Sequence, residues 1–198
     1  EKTRMGLARD MRVICFVGRV TCDKGVVELV DAIGRLSAEG RKVTLLLVGP
    51  LEPDRDPLPE PTLRAITSVP YVRAIGYDAS PEKYIAVSDI FCLPSYREGF
   101  GNVVIEAAAM GVPSVGTKIV GLVDAIEDGV TGLLVPPKDT DALTRALARM
   151  LDDESLRSRL GAAARERAAT LFDADSVNAR LLEEYRRLVL SIGPRSVP

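Results

Sequence analysis

The sequence contains no histidine. That removes the side chain whose ordinary pKa lies nearest neutrality, so Ser-His-Asp and Cys-His nucleophiles and histidine-ligated metals are excluded within this chain. Acid or base chemistry falls to carboxylates, lysines or another domain. Cysteine is scarce as well. Cys15, Cys22 and Cys92 are an odd set at unrelated spacings, and two of them lie inside apolar runs that read as buried strands. They imply neither a disulfide nor a metal site, and Cys22 has no histidine to activate it. No stretch approaches the roughly 20 apolar residues that cross a bilayer, and residues 1–10 carry no apolar signal core, so a cytoplasmic location is the default expectation. Charge of one sign is also missing. The 26 basic and 28 acidic residues are interspersed and sum to −2, which leaves no basic stripe for a nucleic acid.

What is present is an apolar fraction of 46% in 198 residues, enough for one well-buried core and short for two. A single domain over 1–198 is expected. Apolar runs bounded by turn residues recur at 12–18, 42–49, 72–76, 89–94, 113–117 and 131–136. They are mostly continuous rather than alternating, as strands buried on both faces of a parallel sheet require. Helical spacing separates them: Val26, Leu29, Val30, Ile33 and Leu36, ended by Gly40; a short helix over 81–88 capped by Ser80; and 102–110, ended by Gly111. Beyond Val135 only helices are expected, over 140–151, 154–171 and 176–190, with 172–198 as closing helix and tail. The proline-rich acidic segment 51–62 reads as an exposed loop. The fold class is therefore α/β, a Rossmann-like doubly wound parallel sheet of about six strands followed by C-terminal helices.

Ligands of such sheets bind beyond the carboxyl ends of the strands, which directs attention to two loops. In residues 18–25 a buried strand ends at Gly18 and a helix starts near Lys24. Glycine admits a ligand to the backbone, helix-start amides favour an anion, and Arg19 and Lys24 add two cations, a set suited to a diphosphate. The same segment also reads as a β-to-α turn with solvated Arg and Lys. In residues 95–111 two glycines, Gly99 and Gly101, flank Phe100 at another helix start, where successive amides can hold hydroxyls or a phosphate. Glu106 stands in a helix that is otherwise apolar on several faces, so its burial calls for a partner such as a ribose diol. The alternative is an ordinary helix with a narrow polar face of Asn102, Glu106 and Ala109. Glu98 and Glu106 are too far apart in sequence for a hydrolytic carboxylate pair: about 12 Å on a continuous helix against roughly 5–9.5 Å. Tyr77, Tyr84 and Phe100 read first as packing residues, although Tyr77 follows a strand end and could border a base. Asp152, Asp153 and Glu154 read as a helix-start cluster.

From about residue 12 to 190 the chain resembles the carboxy-terminal, donor-binding domain of the retaining glycosyltransferases of family four, which have the GT-B fold. The segments that carry the resemblance are GRVTCDKG, LLLVG, SDIFCLPS, EGFGNVVIE as an E-x7-E motif, AAAMGVPSVGT and DGVTGLLVPPKDTDAL, in that order and spacing. The resemblance implies that Arg19 and Lys24 hold the donor diphosphate next to Gly18, that Glu106 binds the ribose, and that Glu98 sits against the donor sugar. It also implies that Gly99, Phe100, Gly101, Asn102 and Val103 cradle sugar and phosphate, and that Gly76 and Tyr77 border the base. Glu98, Arg19 and Lys24 are then the catalytic candidates, and no metal is implied. The sequence departs from the family pattern at Val120, Gly121, Leu122, Val123 and Asp124, where many members have Gly-Gly-x-Pro-Glu, so a role for that loop is left open.

The function implied is retaining transfer of a hexosyl or N-acetylhexosaminyl group from a nucleotide-diphosphate sugar, UDP-sugar favoured over GDP-sugar. The setting implied is bacterial surface polysaccharide or glycolipid synthesis at the inner face of the membrane. The chain starts at the linker that in the family follows a complete acceptor-binding domain. The acceptor sugar or lipid-linked glycan is thus expected to be bound by an N-terminal domain absent from this sequence, and the isolated domain to be inactive. A non-catalytic nucleotide-sugar-binding module, or a subunit of a two-chain transferase, is the other reading. A sugar-nucleotide epimerase fits poorly, because the chain has no histidine and a full E-x7-E motif.

Overall fold

In the computed structural model, residues 2–192 are described; residue 1 and the tail at 193–198 lie outside the described residues. The six apolar runs form one sheet, β1 (Arg12–Val17), β2 (Val43–Val48), β3 (Val72–Gly76), β4 (Ile90–Leu93), β5 (Ser114–Thr117) and β6 (Gly132–Val135). All neighbouring strands are parallel, in the order β3-β2-β1-β4-β5-β6. The central β2 and β4 are buried at every residue, whereas β3, at the edge, buries only Val72 and turns Arg73 to the carbonyls of Met5 and Gly6. The expectation of two-sided burial fails at β3, whereas β6, at the other edge, keeps Gly132, Leu133 and Val135 buried.

Among the described residues there are eight α-helices: α1 (Val26–Ala38), α2 (Glu60–Ser68), α3 (Glu82–Ile85), α4 (Asn102–Ala109), α5 (Leu122–Ala125), α6 (Thr140–Asp152), α7 (Glu154–Leu171) and α8 (Ala174–Ile192). α1 buries the apolar stripe that its 3.6-residue period defines, with Leu29, Ile33 and Leu36 fully enclosed. The acidic cluster divides into two jobs. Asp153 caps α7 by accepting from the amide of Leu156 at 2.8 Å, while Asp152 ends α6 and takes a two-pronged bond from Arg41. The exposed loop is shorter than expected. α2 begins at Glu60 and buries Thr62, and Leu58 just before it is buried as well. Ser80 does not cap α3. Asp78 organises that turn instead, accepting from the Ser80 amide and the Tyr84 hydroxyl at 2.9 Å each; beside Lys83 its carboxyl is held down at about 2.

Cys15 and Cys92 are buried, which pushes both thiols up, that of Cys15 to about 12. Among the described residues no group of three or more His, Cys, Asp or Glu could hold a metal ion. No described helix is long and apolar enough to cross a membrane.

Candidate functional site

The strand order reverses direction between β1 and β4, the point at which an open α/β sheet leaves a crevice beyond its carboxyl ends. The loop after β1 and the loop after β4 flank it. They touch backbone to backbone at Gly25, whose left-handed φ of +69° brings it so close to Pro94 that a Cβ there would lie 2.1 Å from the Pro94 carbonyl oxygen. Only glycine allows this approach. The crevice has a volume of about 550 Å³, ample for a nucleotide, and Gly18, Arg19, Lys24, Glu98, Phe100, Gly101, Asn102, Val103 and Glu106 all line it. The two loops singled out in the sequence thus form one site.

Its charges are arranged in pairs. Lys24 Nζ lies 2.5 Å from Glu98 Oε1, with both side chains about 15% exposed. Arg19 extends its guanidinium to Glu52 Oε2 at 3.2 Å and to Asp23 Oδ2 at 3.4 Å, and the bond to Glu52 raises its pKa. Burial works to raise the Asp23 carboxyl, but the Thr21 hydroxyl at 2.6 Å and the cations Arg19, Lys24 and Arg97 outweigh it and hold the group below its usual range. The Asp23 amide in turn donates to Asp56 at 2.6 Å, so the acidic segment after β2 is stitched to the loop after β1. Sequence reasoning read that segment only as exposed and missed Glu52. It missed Ser95 as well, a fully buried residue whose hydroxyl donates to Glu98 Oε1 at 2.8 Å.

The turn at 98–101 leads into α4. No hydrogen bond among the described residues takes up the backbone N–H groups of Gly99, Phe100, Gly101, Asn102 or Val103, and unmet donors at a helix start favour an anion or hydroxyl acceptors. Phe100 lines the crevice and also packs edge-on against Phe172 at the end of α7, with ring centroids 5.4 Å apart. Glu106 departs from expectation. It is exposed on the open face of α4 with Asn102 and Ala109, so its carboxylate carries no burial cost, and it still lines the crevice. Gly76 ends β3 and Tyr77 follows it; these two and Gly99 lie outside the crevice lining, and Tyr77 is 78% exposed rather than packed. The loop that departs from the family pattern is in contact with the site. A Cβ on Gly121, at φ +92°, would lie 2.7 Å from the carbonyl oxygens of Glu98 and Gly99, so this loop supports the turn from behind.

This architecture is one Rossmann-like half of a GT-B glycosyltransferase, the fold shared by its structural neighbours. The Glycosyl transferases group 1 family matches residues 11–153, and the chain belongs to that family. The capsular polysaccharide biosynthesis glycosyltransferase CapM of Staphylococcus aureus is 34% identical over 179 residues, which cover 90% of this chain and 47% of that protein. Sucrose-phosphate synthase from Thermosynechococcus elongatus superposes with a TM-score of 0.82 at 30% identity, over 96% of this chain and 48% of its own. Anabaena Alr3699/HepE, solved in complex with UDP and glucose, gives 0.84 at 25% identity, over 94% of this chain and 51% of its own. The chain spans about half the length of the curated relatives it matches.

Proposed function

We propose that this chain is the donor-binding domain of a retaining glycosyltransferase and that the switch-point crevice holds a nucleoside-diphosphate sugar, UDP-linked in preference to GDP-linked. The observation that carries the reading is that Arg19, Lys24 and the four residues Phe100, Gly101, Asn102 and Val103, whose backbone N–H groups are unused, line one crevice of about 550 Å³. A neighbour solved with UDP and glucose supports it.

In this reading Arg19, Lys24 and the helix-start amides of α4 stabilise charge on the departing diphosphate. Because Lys24 pairs with Glu98, an arriving diphosphate competes for that cation, and drawing Lys24 away frees Glu98 to orient the donor sugar and support positive charge near its ring. Glu106 takes the ribose hydroxyls on the open face of α4. Gly76 and Tyr77 border the base. No metal is needed for these steps, because fixed cations and dipoles supply the stabilisation. The acceptor, a sugar or lipid-linked glycan in surface polysaccharide synthesis at the inner membrane face, is held by a second domain. Without that domain the chain binds donor but transfers nothing, since positioning of the two reactants accounts for roughly 7–11 kcal/mol of such a barrier.

A thermal-shift panel of UDP, GDP, ADP and their sugars tests the reading. Stabilisation by one nucleoside diphosphate and its sugar supports it, and no shift with any of them at millimolar concentration contradicts it.

A further inference from the structure

Glu98 sits on an exposed turn between Arg97 and Gly99, and a turn alone gives a carboxylate no fixed direction. Two donors fix it, and both act on the same oxygen, Oε1: Lys24 Nζ at 2.5 Å and Ser95 Oγ at 2.8 Å. They differ in permanence. Lys24 has a long flexible stem and lines the crevice, where an anion competes for it. Ser95 is fully buried, and its single hydroxyl proton is committed to Glu98.

Ser95 is itself anchored. β4 pairs with β5 through Phe91, Cys92 and Leu93, and the next residue, Pro94, has no N–H with which to continue the ladder. At this break the hydroxyl of Thr117, the last residue of β5 and 1% exposed, donates to the Ser95 carbonyl oxygen. The sheet therefore extends past its last paired residues, Leu93 and Gly116, through a side chain, and Ser95 inherits the rigidity of β5. No hydrogen bond or ion pair among the described residues engages the second oxygen of Glu98, and Glu98 lines the crevice.

We infer that Ser95, held by Thr117, is a positioning residue that fixes Oε1 of Glu98 and presents Oε2 to the donor sugar when Lys24 turns to the diphosphate. The inference rests on the donor-site reading above. It separates two things the crevice must do: bind the nucleoside diphosphate, which does not need Ser95, and recognise the sugar, which does.

The test uses the sugar nucleotide of the panel that binds this chain most tightly, titrated beside its own nucleoside diphosphate into wild-type, Ser95→Ala, Glu98→Gln and doubly substituted protein. Ser95→Ala lowers the affinity ratio of sugar nucleotide to nucleoside diphosphate about fivefold to tenfold, the scale of one hydrogen bond. It leaves the nucleoside diphosphate itself within about twofold, as expected when a residue acts only through its partner. In the Glu98→Gln background it costs nothing further, because the two residues act as one unit. Thr117→Val gives the same pattern and Thr117→Ser restores the wild-type ratio, which covers the case in which Ser95→Ala does not fold. Equal loss for both ligands, or full additivity with Glu98→Gln, overturns the inference and makes Ser95 a structural residue. If Glu98→Gln lowers the ratio and Ser95→Ala does not, the inference alone fails; if no panel member binds, the donor-site reading fails.

Discussion

Replacing Gly25 by alanine tests how the two ligand loops are held together. An alanine Cβ at this position would sit 2.1 Å from the Pro94 carbonyl oxygen, and side-chain carbons do not approach closer than 3.0 Å, so the loops must part by about 0.9 Å. The left-handed φ of +69° adds a conformational cost. Strain of about 1–2 kcal/mol and overpacking of about 1–3 kcal/mol give a destabilisation of about 2–5 kcal/mol. At about 2–4 °C per kcal/mol for a chain of this size, the melting temperature falls by about 4–20 °C. UDP affinity falls about tenfold or more, because a shift near 1 Å in catalytic sites costs up to about a hundredfold. Gly40→Ala is the control. Its φ of +85° is comparable, yet nothing lies within 4 Å of its Cβ, so it costs only the strain of about 1–2 kcal/mol and leaves UDP affinity unchanged. Differential scanning calorimetry and isothermal titration read both quantities. A Gly25→Ala protein that melts within about 2 °C of wild type and keeps its affinity would refute the reasoning.

Glu52→Gln releases Arg19 from its carboxylate partner, and UDP affinity measured at low salt rises about twofold to fivefold; a fall would show that Glu52 orients Arg19 instead of competing for it. Glu106→Gln weakens UDP and uridine alike by about tenfold without lowering the melting temperature, since Glu106 is exposed; loss of stability without loss of binding would return it to an ordinary polar helix face. Asp89 has its carboxyl below the ordinary 3.8: burial opposes ionisation, but Lys2, the Val13 amide and Arg12 more than compensate. A depressed carboxylate stabilises the fold above its unfolded pKa and stops doing so as pH falls through its folded value. The stability gap between wild type and Asp89→Asn is accordingly constant at neutral pH and closes below pH 3.8 in acid-unfolding curves; a gap that does not change with pH would contradict this.

Strand positions and the two site loops are legible in the sequence because continuous apolar runs and glycine-bracketed turns are local signals. β1 and β2 fall inside the apolar runs 12–18 and 42–49, and the two site loops follow directly from β1 and β4. What is not legible is non-local. The pairing of Arg19 with Glu52 joins residues 33 apart, and that of Lys24 with Glu98 joins residues 74 apart; neither has a spacing signature. Glu106 reads as a buried carboxylate because its neighbours Val104, Ala107 and Ala108 are buried, but the crevice opens on its side of α4. Ser95 is one small polar residue after a strand, and only the break in the β4–β5 ladder at Pro94 shows what it does. The short α5 was hidden for a similar reason, since its four residues are too few to show a period and are set by contact with the turn at Glu98 and Gly99.

The central claim is that the crevice between β1 and β4 binds a nucleoside diphosphate through Arg19 and Lys24. The most direct measurement is a pair of calorimetric titrations, UDP and uridine, into wild-type, Arg19→Ala and Lys24→Ala protein at matched ionic strength. UDP binds wild type more tightly than uridine does, and each substitution removes most of that difference while uridine affinity stays constant. Equal affinity for the two ligands in the wild type, or equal losses for both on substitution, would contradict the claim.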